Sequence, residues 1–127
     1  MRDYIEYTVR VFPGGSRHWS VDDLYHREDG PAIEYASGTK LWRKHGILHR
    51  EGGPAIEYVS GTKAWFMNGE KHREDGPAIE YANGEKSWYL NGRKVKEYDA
   101  LRKSLKPMEL TLAEISELLG YEVKIVK

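Results

Sequence analysis

The fold class read from this sequence is mainly β. It is an antiparallel β-hairpin repeat, a sheet or solenoid, with a small C-terminal α/β cap. Three observations lead there. His26 to Leu48, His49 to Lys71 and His72 to Lys94 are three consecutive copies of one 23-residue unit, with no insertion between them. Self-similarity at a fixed period marks stacked supersecondary units. Each copy also carries two glycine-ending dipeptides at constant positions, Ser37-Gly38 and His45-Gly46 in the first, where glycine supplies the positive φ of a hairpin turn. Between these turns polar and apolar residues alternate with period 2, which argues strands.

Length and composition set the frame. The 127 residues suit one domain spanning 1–127: a degenerate first unit over 1–25, three units over 26–94, and a cap over 95–127. Twenty basic residues balance twenty acidic ones, which disfavours a strongly basic nucleic-acid binder and an acidic DNA mimic. Cysteine is absent, so thiolate chemistry and a disulfide scaffold are excluded. Met1 to Glu6 has no apolar run like that of a signal peptide, and no stretch is long and apolar enough to cross a bilayer. The expectation is a soluble, cytoplasmic protein.

In chain order, Tyr4 to Phe12 reads as a strand ended by Pro13-Gly14-Gly15. A shift of 23 residues lays Gly15, Arg17 and Trp19 over Gly38, Lys40 and Trp42, so the first segment is a worn copy of the unit. Within the unit, Pro31 to Ala36 predicts a strand, and Ser37-Gly38, Ser60-Gly61 and Asn83-Gly84 predict two-residue primed turns. Thr39 to Lys44 returns, and a second turn follows at His45-Gly46, Asn68-Gly69 and Asn91-Gly92. That register sets Ile33 opposite Trp42 and Tyr35 opposite Lys40, and predicts a buried face of Ile, Tyr, Trp and His. Ala32, Glu34 and Arg43 then fall on a more solvated face. Across the second turn Trp42 meets His49, Trp65 meets His72 and Trp19 meets His26.

After Lys94 the pattern stops. Lys96 to Lys106 predicts a short helix ended by Pro107. Thr111-Leu112-Ala113-Glu114 is a capping box, followed by an apolar stripe of Leu112, Ile115, Leu118 and Leu119 and by Gly120 at the helix end. Tyr121 to Val126 predicts a last strand, and together these elements are expected to cover the open end of the array.

Trp65-x-x-Asn68-Gly69-x-x-His72, followed by Gly76-Pro77-Ala78 and by Asn83-Gly84, resembles the MORN repeat and its bacterial variants. Its His-Arg-Glu-Asp-Gly-Pro bend is longer than the usual MORN form, and its tryptophan is placed differently between turns. The resemblance covers roughly residues 15 to 94 and implies hairpins stacked into an elongated curved sheet. It also implies a scaffold, a protein-binding module or a lipid binder. The His-Arg-Glu-Asp-Gly-Pro-Ala form and the Leu118-Leu119-Gly120-Tyr121 ending look like those of small phage and bacterial mobile-element proteins.

The His-Arg-Glu-Asp blocks at His26 and His72, and the partial block at His49, would suggest metal or acid–base chemistry. Repetition argues against it. Equivalent residues two strands apart lie about 10 Å from one another, whereas zinc needs its ligands at about 2 Å. A catalytic site also needs different residues meeting at one place, while a repeat offers the same residues at several. No catalytic, metal or cofactor residues are assigned. The histidines are expected to pack on tryptophan and donate to a bend carbonyl, and the arginines to tie the bends together through Glu and Asp. Trp19, Trp42, Trp65 and Trp88 are expected in the core.

The positions that differ between copies point to a binding surface: Leu41, Ala64 and Ser87; Arg43, Phe66 and Tyr89; Lys44, Met67 and Leu90. Phe66, Tyr89 and Arg43, with the row Arg27, Arg50 and Arg73, are the candidate partner-binding residues. The expected function is non-enzymatic protein binding. The phage resemblance implies an inhibitor of a host defence protein such as a CRISPR-associated nuclease, acting in the bacterial cytoplasm. Alternatives are an antitoxin-like or scaffold protein, and a small-molecule or nucleotide sponge on the Arg and Trp rows. A protein partner is expected first and nucleic acid only marginally, with no membrane partner. A homodimer through the terminal sheet edge is a further expectation.

Overall fold

Short alternating segments, each ended by a glycine, leave the chain little choice but to run back and forth. The computed structural model describes residues 4–97, 99–100 and 111–120. Fourteen strands and one complete helix appear among them, and Glu97, Asp99 and Ala100 are helical as well. They are β1 (Thr8–Val11), β2 (Arg17–Val21), β3 (Leu24–Tyr25), β4 (Ile33–Glu34), β5 (Lys40–Leu41), β6 (Arg43–Lys44), β7 (Ile47–Leu48), β8 (Ile56–Glu57), β9 (Lys63–Ala64), β10 (Phe66–Met67), β11 (Glu70–Lys71), β12 (Ile79–Glu80), β13 (Lys86–Leu90), β14 (Arg93–Val95) and α1 (Leu112–Leu119).

The main sheet is open and antiparallel. Ten strands belong to it, nine in the order β1-β2-β4-β5-β8-β9-β12-β13-β14, with β3 attached to β2. Two further hairpins, β6–β7 and β10–β11, stand beside it. The returning strand is unbroken through Trp19 in β2 and Trp88 in β13, but it divides at Trp42 and Trp65. There the Trp42 and Trp65 amides donate to the carbonyls of Ala55 and Ala78 at 2.7 Å. Before each tryptophan the strand pairs with the neighbouring hairpin, and after it the strand pairs with its own return.

The first turn is not the two-residue primed turn that the sequence suggests. Tyr35 N–H donates to Thr39 O and Gly38 N–H to Tyr35 O, both at 2.9 Å, so Ala36, Ser37 and Gly38 form a three-residue loop. Gly38, Gly61 and Gly84 take φ of 104°, 98° and 91°, the place where such a loop needs a glycine. One extra loop residue shifts the register by one. Ile33 lies opposite Leu41, not Trp42; Ile56 faces Ala64 and Ile79 faces Ser87.

A slip of one residue moves every side chain to the other face. Ile and Trp therefore part company. Ile56, Ala64 and Ile79 form a core cluster, with Leu41, Leu48, Phe66 and Tyr89 packed against it. Tyr35, Tyr58 and Tyr81, expected in the core, are exposed, and Ala32, Ala55 and Ala78, expected on the solvated face, are completely buried.

The second turn is as the sequence predicts. His45-Gly46, Asn68-Gly69 and Asn91-Gly92 all have positive φ at both residues, the two-residue primed form. His26, His49 and His72 donate their backbone N–H to the carbonyls of Trp19, Trp42 and Trp65 at 3.1, 3.2 and 3.1 Å. In α1, Thr111 is the N-cap of a complete capping box with Glu114, and Gly120 closes the helix in the left-handed region. Leu112 and Leu119 of its apolar stripe are exposed. The predicted last strand at 121–126, and most of the helix predicted from Lys96, lie outside the described residues.

Candidate functional site

Two faces of the sheet carry the candidate residues, and they are built differently. On the first, Phe66 and Tyr89 sit half-buried against the Ile56–Ala64–Ile79 cluster, not on a solvated face. Here Tyr58, Ser60, Thr62, Ala64, Phe66, Lys71, Ile79 and Tyr81 line an open groove of about 350 Å³. Lys71 Nζ lies 5.0 Å from the centre of the Tyr89 ring. Arg43, on the same side as Leu41, donates from Nη1 to Gly46 O at 2.8 Å, and its buried Nε has no hydrogen-bond partner among the described residues. Leu41, Ala64 and Ser87, which vary between the units, occupy the cross-strand position facing the invariant isoleucines.

The exposed tyrosines extend this face. Tyr35, Tyr58 and Tyr81 are 41, 44 and 39% exposed, at the mouths of successive loops. At the N-terminal end, His18 lies among aromatic rings, 4.6 Å from Phe12, 5.4 Å from Tyr25 and 6.0 Å from Tyr35. Each tyrosine shares a face with the isoleucine two residues before it, whichever length the loop has; it is exposed because it closes the loop at the end of its strand.

The opposite face is held by the His-Arg-Glu-Asp-Gly-Pro bends, which fold over the tryptophans. Arg27, Arg50 and Arg73 lay their guanidinium carbons 4.0, 3.9 and 3.9 Å from the ring centres of Trp19, Trp42 and Trp65. Arg73 Nε donates to Asp75 at 2.9 Å, and its Nη1 donates to Pro77 O and to Glu80, both at 3.1 Å. Arg27 makes the same set with Asp29, Pro31 O and Glu34 at 3.1, 3.2 and 3.4 Å. A positive charge over an indole face, with its N–H groups on carboxylates, is stable without an outside ligand.

Glycine makes this stacking possible. A Cβ on Gly30, Gly53 or Gly76 would lie 3.0, 2.9 or 2.8 Å from the guanidinium carbon of the arginine three residues earlier. The glycine of the Gly-Pro pair is therefore room for the arginine. Backbone freedom is not the reason for it, because none of the three has a positive φ.

The histidines accept where the sequence reading has them donate. His26, His49 and His72 take the backbone N–H of His45, Asn68 and Asn91 on Nδ1, at 2.9, 3.0 and 2.9 Å. An acceptor at Nδ1 leaves the proton on Nε2, and His26 Nε2 lies 2.6 Å from Glu28 Oε1. Glu28 is held below the usual carboxylate range, chiefly by that hydrogen bond and then by Lys44. At the other end of the units, Ser16, Thr39 and Thr62 accept on their hydroxyls from Ala36, Val59 and Ala82 N–H at 3.0, 3.1 and 3.1 Å.

Chemically, one face is a network of stacked and paired charges and the other an apolar, aromatic groove. Among the described residues no group of three or more His, Asp or Glu is placed to hold a metal ion, and no helix is long and apolar enough to cross a membrane. In comparisons of the chain with protein-family models, curated proteins and solved structures, nothing matches.

Proposed function

We propose that this chain is a non-enzymatic protein-binding module, an array of MORN-like hairpin units that holds a partner on its aromatic face. One observation carries the reading: the open groove between Tyr58 and Tyr81, floored by Ala64, Ile79 and Phe66. Exposed aromatic rings around an apolar floor are the usual anchors of protein contacts. A rigid sheet also loses little conformational freedom on binding. The Arg and Trp rows that a small-molecule sponge would need are engaged with each other, which favours the protein partner. The resemblance to small phage proteins extends the proposal to occlusion of a host defence protein such as a CRISPR-associated nuclease.

The test uses residues outside the core. Tagged wild type, a Tyr58→Ala, Tyr81→Ala variant and a Tyr4→Ala control are used to capture partners from bacterial lysate, and the retained protein is purified for titration. The double variant is expected to stay folded and to weaken binding by about 2 kcal/mol, roughly thirty-fold in Kd. Equal affinity for the double variant and the wild type, or no retained protein, would overturn the proposal.

A further inference from the structure

The three bends permit an internal comparison, and one of them lacks a carboxylate. Arg27 and Arg73 direct Nε–H to Asp29 and Asp75 at 3.1 and 2.9 Å. The equivalent residue of the second bend is Gly52. Arg50 keeps the rest of the arrangement: its seat over Trp42 at 3.9 Å, and bonds from Nη1 to Pro54 O at 3.1 Å and Glu57 at 3.2 Å. Its Nε has no acceptor among the described residues. Accordingly the Arg50 side chain is 31% exposed, against 20% for Arg27 and 21% for Arg73.

Nothing else fills the gap. Glu51 is turned towards His49, with Oε1 3.7 Å from Nε2. A Cβ on Gly52 would meet no atom within 4 Å, and Gly52 itself takes φ of 77°, a conformation that Asp29 and Asp75 do not share. Beside it runs a groove of about 470 Å³ lined by Arg50, Gly52, Gly53, Pro54 and Trp65, and also by Arg73 with its neighbours Glu74 and Asp75.

We propose that Arg50 is a carboxylate-binding site, where an outside carboxylate takes the place that Asp29 and Asp75 hold beside Arg27 and Arg73. Its source is an Asp or Glu side chain of a partner or a small free acid. The site lies on the face opposite the aromatic groove, and it adds an anionic contact to the function proposed above without depending on it. A single negative charge is what the other two bends accept. With Glu57 already on Nη1 and Glu51 nearby, a dianion would be repelled, whereas one carboxylate oxygen on Nε–H makes a charge-assisted bond.

The test follows the arginine Nε–H resonances by ¹H–¹⁵N NMR while sodium acetate is added, against sodium chloride at matched ionic strength. The expected result is a saturable acetate shift at Arg50, with Arg27 and Arg73 unmoved. Asp75→Gly should create the same shift at Arg73. N-acetyl-Gly-Asp-Gly-amide, used as a second probe, assigns the source: a shift at Arg50 marks a protein-borne carboxylate, and a response to acetate alone marks a small acid. An Arg50 resonance that neither probe moves, an equal shift at all three arginines, or no new shift at Arg73 in Asp75→Gly would overturn the site. Tyr58→Ala, Tyr81→Ala should leave the acetate response intact, which separates this test from that of the aromatic groove.

Discussion

The guanidinium carbon of Arg73 lies 3.9 Å from the centre of the Trp65 ring, and the same group bonds to Asp75, Pro77 O and Glu80. A planar cation stacked on indole and forked to two carboxylates has no lysine equivalent. Arg73→Lys is expected to lower stability by about 1–2 kcal/mol in urea unfolding. A loss below about 0.5 kcal/mol, the range of ordinary surface changes, would show that the stack contributes little.

Gly76 offers a test of the same contact from the other side. Its added Cβ would meet Arg73 Cζ at 2.8 Å, so Gly76→Ala must push the guanidinium off Trp65 or shift the bend. The expected cost is about 1–3 kcal/mol. Gly14→Ala, where a Cβ meets nothing within 4 Å, is the control and should change the unfolding midpoint little.

His26 ties the start of its unit to the second turn of the same unit by accepting the His45 backbone N–H at 2.9 Å. Its side chain is 4% exposed, against 13% for His49 and 16% for His72. Removing the acceptor strands a backbone donor, at about 1–3 kcal/mol. Thermal unfolding of the three His→Ala variants should therefore rank His26 as the most destabilised; an equal loss at all three would mean that burial does not set the cost.

The Glu28 carboxyl is held below the usual range by the hydrogen bond from His26 and then by Lys44, whose Nζ is 3.3 Å from Oε2. A folded pKa below the unfolded one means that the unfolded chain takes up the proton more readily. The stabilisation is thus present above the ordinary carboxylate range and is lost as pH falls through the folded value. Wild type should exceed Glu28→Gln in stability at neutral pH, and the difference should shrink on acidification. Because the Glu28 side chain is 44% exposed, added salt should shrink it too. A difference that does not change with pH would remove the carboxylate from the account.

The register of the two turns shows how far local reasoning reached. Asn68-Gly69 has the composition of a primed turn and forms one. Ser60-Gly61 looks similar, yet its glycine is the third residue of a three-residue loop. A glycine needs positive φ in either case, so the dipeptide alone does not distinguish them. Alternation with period 2 is likewise unchanged by a shift of one residue, because it states that two faces exist and not which turns inward. For Phe66 and Tyr89 this meant a place beside the core in place of an open surface.

By itself the sequence determined a mainly β chain, its 23-residue period, the primed second turns, the Trp–His pairing across them and the capping box of α1. Each of these depends on residues close in sequence, whose conformational preferences act locally. Tertiary structure alone decided which face holds the core, why Gly76 must be glycine, and that the aspartate missing from the Arg50 bend is the one that meets the arginine Nε in the other two. Those features depend on groups meeting across bends and neighbouring units, where a single added loop residue or one missing side chain changes what touches what.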